Sequence, residues 1–196
     1  MRVIKSLLTR KEWIVFRLPE DWKYPDSFLG ERLEWAWANE NILDLFFSMD
    51  RARIRIFKKF LLRRFVGIIS SCQGQWASYA WMKHPESIGP AHLPRNVKKL
   101  PVYWIFYCRT HELYQSKRIY KQSLCNLAEW ARKRNSKADI YIDTELNNVS
   151  SRKAILAVGF KPCGVIRTLS IVFPKLGHIT FGDWKRSSHH GELTTK

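Results

Sequence analysis

The sequence predicts a single α/β domain whose central sheet is mixed, mostly antiparallel and flanked by helices. One observation behind this is that residues 102–143 read as an apolar strand, an amphipathic helix and a second apolar strand, the order of a βαβ unit. A second is that short strand-like segments with turn residues lie on both sides of that unit. The 196 residues, 45% of them hydrophobic, suffice for one substantial core. We expect the domain to span residues 1–186, with a flexible polar tail over 187–196.

The first part of the chain predicts a strand followed by two helices. Residues 12–18 hold the tryptophan, valine and isoleucine that strands favour. Residues 29–64 have helical periodicity, and Asn41 is a candidate cap for the second helix. The apolar face expected for that helix consists of Ile42, Leu45, Phe46 and Met49. Residues 51–64 carry seven bases, and their alternation with isoleucine leaves a strand open as an alternative.

A hairpin, a long loop and a buried strand are predicted next. Residues 65–71 and 76–82 read as two strands around a turn that contains Gly74. Residues 84–101 hold four of the eight prolines and predict a loop, and loops of this length are often functional. Residues 102–110 are apolar almost throughout, which predicts a strand buried on both faces.

The last elements alternate between helices and strands. We expect a helix over 116–134, a strand over 138–143, a short helix, a strand pair or one long bent strand over 160–173, and a last strand over 177–184. Ser150 or Ser151 is the expected cap of the short helix, and Gly159 is expected to end it.

The charge balance favours an anionic partner. Lys and Arg number 34 against 17 Asp and Glu, so the net charge is +17. Nucleic acid, an acidic membrane surface and a phosphate-bearing ligand all fit such an excess. No apolar run approaches the ~18 residues of a membrane span, and the first residues lack the apolar core of a secretory signal. We expect a cytoplasmic protein, with a peripheral association with the membrane left open.

The cysteines and histidines predict neither a disulfide framework nor a metal site. The four cysteines, Cys72, Cys108, Cys125 and Cys163, are widely spaced and read as reduced, mostly buried thiols. No set of His and Cys has the spacing of metal ligands.

Two motifs carry most of the functional information. Residues 115–120 follow a buried strand and open a helix, in the pattern Gln-x-x-Arg-x-Tyr. Asn148 and Ser151 follow the next strand, and Gly159-Phe160 comes eight residues after the serine. In their order and separation these segments resemble the GNAT superfamily of acyl-CoA N-acyltransferases, whose first motif is Gln/Arg-x-x-Gly-x-Gly/Ala. The resemblance at the level of motifs covers about a third of the chain.

The junction at 115–120 suits phosphate whatever the family. A strand, a loop and a helix start point backbone N–H groups and the positive end of the helix dipole at one spot. Lys117, Arg118 and Lys121 add positive charge there.

The resemblance implies acetyl-CoA or another acyl-CoA as the donor. Its pantetheine arm would lie in a splayed parallel strand pair ending near Thr110 and Asp143. The implied donor-binding residues are Cys108, Arg109, Thr110, Gln115, Ser116, Lys117, Arg118, Ile119, Tyr120, Asn148 and Ser151. The backbone of 108–110 would pair with the arm, and Asn148 would hydrogen-bond it.

Three positions depart from the family pattern. Arg118 and Tyr120 replace the glycines that normally let pyrophosphate approach the backbone. Ile155 stands where many relatives carry a tyrosine that protonates the leaving thiolate. A chain with these changes needs another proton source, releases thiolate directly, or binds CoA without turnover.

The implied reaction is attack of a neutral amine on a thioester, which requires a base and a donor for the oxyanion. Asp143, Glu145, His111 and Tyr107 are the candidate catalytic residues. The resemblance implies a small, possibly anionic primary amine as the acceptor, and the motifs look most like those of members that act on amino sugars in cell-envelope polysaccharide synthesis. A GNAT-like protein that acts on or binds nucleic acid through its basic surface is the alternative, as is a catalytically altered CoA-binding domain.

Overall fold

A computed structural model describes residues 8–25, 33–173 and 177–187. Its strands are β1 (Leu8–Arg17), β2 (Glu34–Trp37), β3 (Val66–Cys72), β4 (Gln75–Lys83), β5 (Tyr103–Thr110), β6 (Ile140–Glu145), β7 (Lys161–Phe173) and β8 (Gly177–Arg186). Its helices are α1 (Glu40–Phe47), α2 (Arg51–Leu62), α3 (Arg95–Lys98), α4 (Ile119–Arg134) and α5 (Val149–Ala157). The predicted tail beyond residue 187 lies outside the described residues.

The strands form one mixed sheet in the order β2-β3-β4-β5-β6-β1-β7-β8. Strands β5 and β6 are parallel and are joined through α4, as expected for a βαβ unit, whereas the other described pairs are antiparallel. The prediction of a mixed sheet flanked by helices is therefore confirmed. The 160–173 segment is one long strand, β7, which pairs with both β1 and β8.

The predicted hairpin forms with a two-residue turn. Strands β3 and β4 pair from Val66–Met82 to Cys72–Gln75. The turn residues Gln73 and Gly74 have φ values of 50° and 77°. Two left-handed residues give a turn whose twist matches the strands, which explains the glycine.

Helices α1 and α2 form, but the predicted cap of α1 is wrong, and of its predicted apolar face only Ile42 and Phe46 pack against the core. Asn39, not Asn41, caps α1 by accepting a hydrogen bond from the Ile42 amide at 3.0 Å. Buried positions on α1 are Leu43 and Phe47, whereas Leu45 is 68% exposed and Met49, just beyond the helix, is 97% exposed. The segment at 51–64 is helical, which excludes the strand alternative.

Each face of the sheet has its own hydrophobic core. On one face α4 and α5 pack against residues such as Ile105 and Ile142. On the other, α1, α2 and the loop after β4 cover residues such as Trp104 and Tyr141. Side chains alternate between faces along a strand, so Asp143 lies on the α1–α2 side.

A buried lysine holds the loop over 84–101 in place. The ammonium group of Lys83 donates to the carbonyl oxygens of Leu100 at 2.8 Å and Val102 at 3.1 Å. Burial lowers the pKa of Lys83 to about 8. The loop contains the short helix α3, which the prolines did not predict.

Other sequence predictions need correction. Strand β2 falls in the region predicted to be helical. Strand β5 is buried only over Tyr103–Phe106 and then becomes partly exposed, so it is not buried on both faces throughout. Asn148, not a serine, caps α5. The four cysteines are free, but of these only Cys125 is fully buried.

Among the described residues, no helix is long and apolar enough to cross a membrane.

Candidate functional site

The parallel pair at the centre of the sheet separates after three residues. Pairing between β5 and β6 extends from Tyr103–Ile140 to Ile105–Ile142, although both strands continue beyond it. Just past this point Tyr107 adopts φ 50°, and the register between β4 and β5 shifts. A bulge with a left-handed non-glycine residue bends the strand at a cost of about 1–3 kcal/mol, and such strain concentrates at functional sites.

A cleft of about 640 Å³ opens beside the separated strands. Its lining comes from the end of β5, the loop and first turn of α4, and the start of α5. These residues are Cys108, Arg109, Thr110, Tyr114, Gln115, Ser116, Arg118, Ile119, Tyr120, Lys121, Asn148, Ser150, Ser151 and Ala154. The cleft thus brings together residues of both sequence motifs, including ten of the eleven expected at the donor. Lys117, the eleventh, instead has its ammonium group 5.5 Å from the Tyr114 ring centroid.

The loop that precedes α4 keeps a glycine-like backbone without glycine. Ser116 and Arg118 have φ values of 64° and 62°. Arg118 is the N-cap residue of α4 and stands where the family motif has its first glycine. An arginine side chain cannot accept a hydrogen bond, so it leaves the first N–H groups of the helix available to an anion.

Tyr120 occupies the position of the second glycine and reaches across to α5. Its hydroxyl lies 3.1 Å from the Ser151 Oγ. Burial, and then the neighbouring Cys108 and Asp143, raise the pKa of Tyr120 well above that of a free phenol. Burial likewise raises the pKa of the Cys108 thiol to about 12. Both groups are therefore neutral at pH 7, and the negative charge of Asp143 contributes to the raised pKa of each.

Asp143 lies just beyond the last pair of the β5–β6 ladder, and its carboxylate is almost fully buried, with 3% of the side chain exposed. The His92 Nε2 atom is 3.0 Å and 3.2 Å from its two oxygens, and the Trp104 indole donates to it as well. The His92 ring packs against Trp13, with centroids 4.8 Å apart. Of the four predicted catalytic candidates, this is the one held in a buried polar cluster.

The other three candidates have different surroundings. Glu145 is partly exposed and pairs with Lys11. His111 uses Nδ1 to accept a hydrogen bond from the Leu113 amide at 3.3 Å, which caps a short 3₁₀ turn. Tyr107 is 44% exposed, and its ring stacks on that of Tyr79.

His92 is the polar residue of this site that sequence reasoning missed. It lies in the proline-rich loop over 84–101, which was predicted to be functional only because of its length. The available signal was a histidine in such a loop. The Lys83 ammonium group holds this loop in place. Asp143, the partner of His92, is 51 residues away along the chain, so no local pattern connects the two residues.

Solved structures with the same overall fold are numerous, although no family model and no curated protein matches the sequence. A GNAT-family acetyltransferase from Colwellia psychrerythraea is 13% identical, with a TM-score of 0.58 over 88% of this chain and 57% of that one. A GCN5-related N-acetyltransferase-like protein from Streptococcus suis is 13% identical, with a TM-score of 0.56 over 93% of this chain and 65% of that one. The chain has the GNAT acetyltransferase fold.

Within that GNAT fold, this chain spans about three fifths of the length of these two structures. The aminoglycoside N-acetyltransferase AAC(6′)-Iy, in complex with the bisubstrate analogue CoA-S-monomethyl-acetylneamine, is instead matched over most of its own length. It is 15% identical, with a TM-score of 0.52 over 67% of this chain and 92% of that one. Identities this low establish the GNAT fold, and the residues of this chain must carry any argument about chemistry.

Proposed function

We propose that the protein is an acyl-CoA-dependent N-acyltransferase that transfers an acetyl group to the primary amine of a small acceptor. The observation that carries the proposal is the cleft at the separated β5 and β6 strands, where the N-terminal ends of α4 and α5 meet. Two helix N-termini beside a gap between parallel strands suit a long ligand with a phosphate end and a polar arm.

The α4 end of the cleft fits the phosphates of CoA. The left-handed residues Ser116 and Arg118 turn the loop ahead of the helix, whose N-terminus carries a partial positive charge. Lys121 lines the same region and adds a full charge. These groups supply backbone donors and cations to the pyrophosphate without a glycine.

The inner part of the cleft fits the amides of the pantetheine arm. Residues 108–110 of β5 lie beside the gap, so their backbone can pair with an extended ligand as a missing strand would. Asn148 lines the opposite wall, but its side-chain oxygen already accepts from the Ser151 amide at 3.1 Å. Its NH₂ group, which is the donor of this side chain, can bond an amide oxygen of the arm.

We assign the acyl donor and the amine acceptor to opposite faces of the sheet. The donor enters from the α4–α5 side, and the amine approaches from the side of Asp143 and His92. An ammonium group cannot attack a thioester, so its proton must be removed first. We assign this step to His92, with Asp143 orienting the ring through Nε2 and balancing the charge that the ring acquires.

Tyr120 supplies the proton that the departing sulfur requires. The phenol is protonated at neutral pH, and the side chain lines the cleft together with Cys108. As the carbon–sulfur bond breaks, the sulfur takes the phenolic proton. Ser151, 3.1 Å from the phenol oxygen, connects it with the solvent that restores the proton. Tyr120 thereby compensates for Ile155.

Amino sugars are the first acceptor class to test, because they are small primary amines, which the negative charge of Asp143 and the partly exposed His92 ring suit. The test is thiol release from acetyl-CoA in the presence of a panel of amino sugars and aliphatic amines. We expect amine-dependent release by the wild-type protein and its loss in His92→Gln. Equal release by both proteins would refute the assignment of the base.

A further inference from the structure

The exposed face of α2 is a continuous basic stripe. Arg51, Arg55 and Lys59 follow one another at intervals of four residues and are exposed. Side chains at this spacing lie on the same side of a helix. Lys58, by contrast, points to α1, where it pairs with Asp44 at 3.4 Å. Lys58 is thus neutralised by an ion pair, whereas the three bases of the stripe face outward.

The stripe continues beyond the end of α2. Arg63 and Arg64 are exposed, and Arg64 has φ 57°, which turns the chain away from the helix. Lys98 of α3 is close enough to Arg63 that burial and this neighbouring charge both lower its pKa. Like charges held this close favour an anionic ligand that neutralises them.

Large aliphatic side chains protrude at both ends of this basic row. Met49 precedes α2 and is 97% exposed, and Leu62 in its last turn is 84% exposed. Ile88 is 67% exposed, and it belongs to the same end of the row, since the hydroxyl of its neighbour Ser87 donates to the Arg63 carbonyl at 2.9 Å. The two ends of the 12-residue helix are about 18 Å apart. We call Met49, Arg51, Arg55, Lys59, Leu62, Arg63, Arg64 and Ile88 the α2 surface.

We propose that the α2 surface docks the protein on an acidic lipid bilayer. The arginines and lysine would contact the anionic headgroups, while the three aliphatic side chains enter the interface between headgroups and acyl chains. Aliphatic side chains fit this partner better than a nucleic acid, because single strands are bound by stacking on exposed rings. The phenylalanines of α2 face inward: Phe57 is buried, and Phe60 packs on Phe65 and Phe106.

Docking in this way would bring the proposed acceptor side of the cleft towards the membrane. Phe57 and Phe60, on the inner side of α2, contact Tyr107 at the strand bulge, with ring centroids 6.2 Å and 5.3 Å apart. The helix thus links the lipid-facing row to the strand that lines the cleft. The docking proposal itself does not depend on the acyltransferase activity.

Vesicle sedimentation tests the proposal with the full chain. We expect binding to vesicles of phosphatidylcholine and phosphatidylglycerol, and little to phosphatidylcholine alone. Arg55→Glu with Lys59→Glu should weaken binding by at least roughly tenfold, since each base near an anionic surface contributes substantially. Lys137→Glu with Lys161→Glu makes the same change in net charge at exposed positions elsewhere and should weaken it much less.

A second variant separates lipid from nucleic acid. Met49→Ser with Leu62→Ser removes the exposed aliphatic groups without disturbing the core, so the melting temperature should stay unchanged while vesicle affinity falls several-fold. Unchanged vesicle binding in this variant, or equal losses in the two charge variants, would overturn the proposal. Tighter binding to an oligonucleotide than to the acidic vesicles would also overturn it and would assign the surface to nucleic acid.

Discussion

The Nε2 atom of His92 lies 3.0 Å from a carboxylate oxygen of Asp143, at the point where the two central parallel strands cease to pair. The carboxylate is almost fully buried, whereas 28% of the histidine side chain is exposed. A buried acid behind a partly exposed imidazole leaves Nδ1 as the ring nitrogen for a substrate proton. This arrangement, beside a cleft with two helix N-termini, underlies the proposed acyl transfer.

Asp143→Asn should lower kcat by about 10²–10⁴, the range that general acid–base catalysis contributes, because His92 loses the carboxylate that orients its ring. The amide keeps the size of the carboxylate and can still accept from Trp104, but it cannot balance a charged His92. The KM for acetyl-CoA should change little, because Asp143 lies on the acceptor side. Steady-state kinetics measure both values, and Glu145→Gln is the control. A kcat close to that of the wild type in Asp143→Asn would remove the residue from the mechanism.

Tyr120→Phe should lower kcat while the affinity for acetyl-CoA remains that of the wild type. The substitution deletes the hydroxyl that bonds Ser151 and leaves the ring packed between α4 and α5. Calorimetric titration and initial rates separate the two effects. Ser151→Ala keeps the phenol but removes the proposed contact with solvent, so it should lose less activity than Tyr120→Phe. A kcat of Tyr120→Phe equal to that of the wild type would contradict the assignment of the proton donor.

Arg118→Glu with Lys121→Glu should weaken acetyl-CoA binding by at least tenfold, because both residues line the phosphate end of the cleft. The Lys137→Glu, Lys161→Glu protein again serves as the control for net charge. Dissociation constants at low salt provide the comparison. Equal affinities in the two variants would mean that the phosphates bind elsewhere.

Burial of Cys125 makes stability fall at alkaline pH. Its pKa is raised from 9.0 to about 12 by burial, so the folded protein keeps a proton that the unfolded chain releases. The contribution is complete below pH 9 and is lost as the pH rises towards 12. Cys125→Ala should therefore reduce the slope of the unfolding free energy against pH, by up to about 1.4 kcal/mol per pH unit. Denaturant titrations between pH 8 and 10 measure it, and an unchanged slope would contradict the explanation.

The sequence predicted the α4–α5 side of the site better than the other side. Residues 108–120 and 148–151 belong to local strand–loop–helix units, in which neighbours in sequence are neighbours in space. The contact between His92 and Asp143 depends on how a long loop is held by Lys83, which no local pattern reports. The left-handed conformation at Arg118 also required the structure, because the residue type argues against it.

Helix α1 shows why helical periodicity alone predicted two of its buried positions wrongly. Leu45 and Met49 have the spacing of a buried face but are exposed, while Leu43 and Phe47 are buried. Both pairs have helical spacing, so periodicity alone does not choose between them. The Asn39 cap fixes where the helix begins, and the aromatic contacts of Phe47 with Phe57 and Trp76 fix which face turns inward.

Calorimetric titration of the wild-type protein with acetyl-CoA, with ADP as the comparison and at two salt concentrations, tests the central claim most directly. The cleft beside β5 predicts saturable binding of one molecule per chain, clearly tighter than that of ADP and largely retained at the higher salt, because the pantetheine arm contributes uncharged contacts. Binding no tighter than that of ADP, or lost at the higher salt, would show that the cleft does not hold the arm and would contradict the proposed acyl transfer.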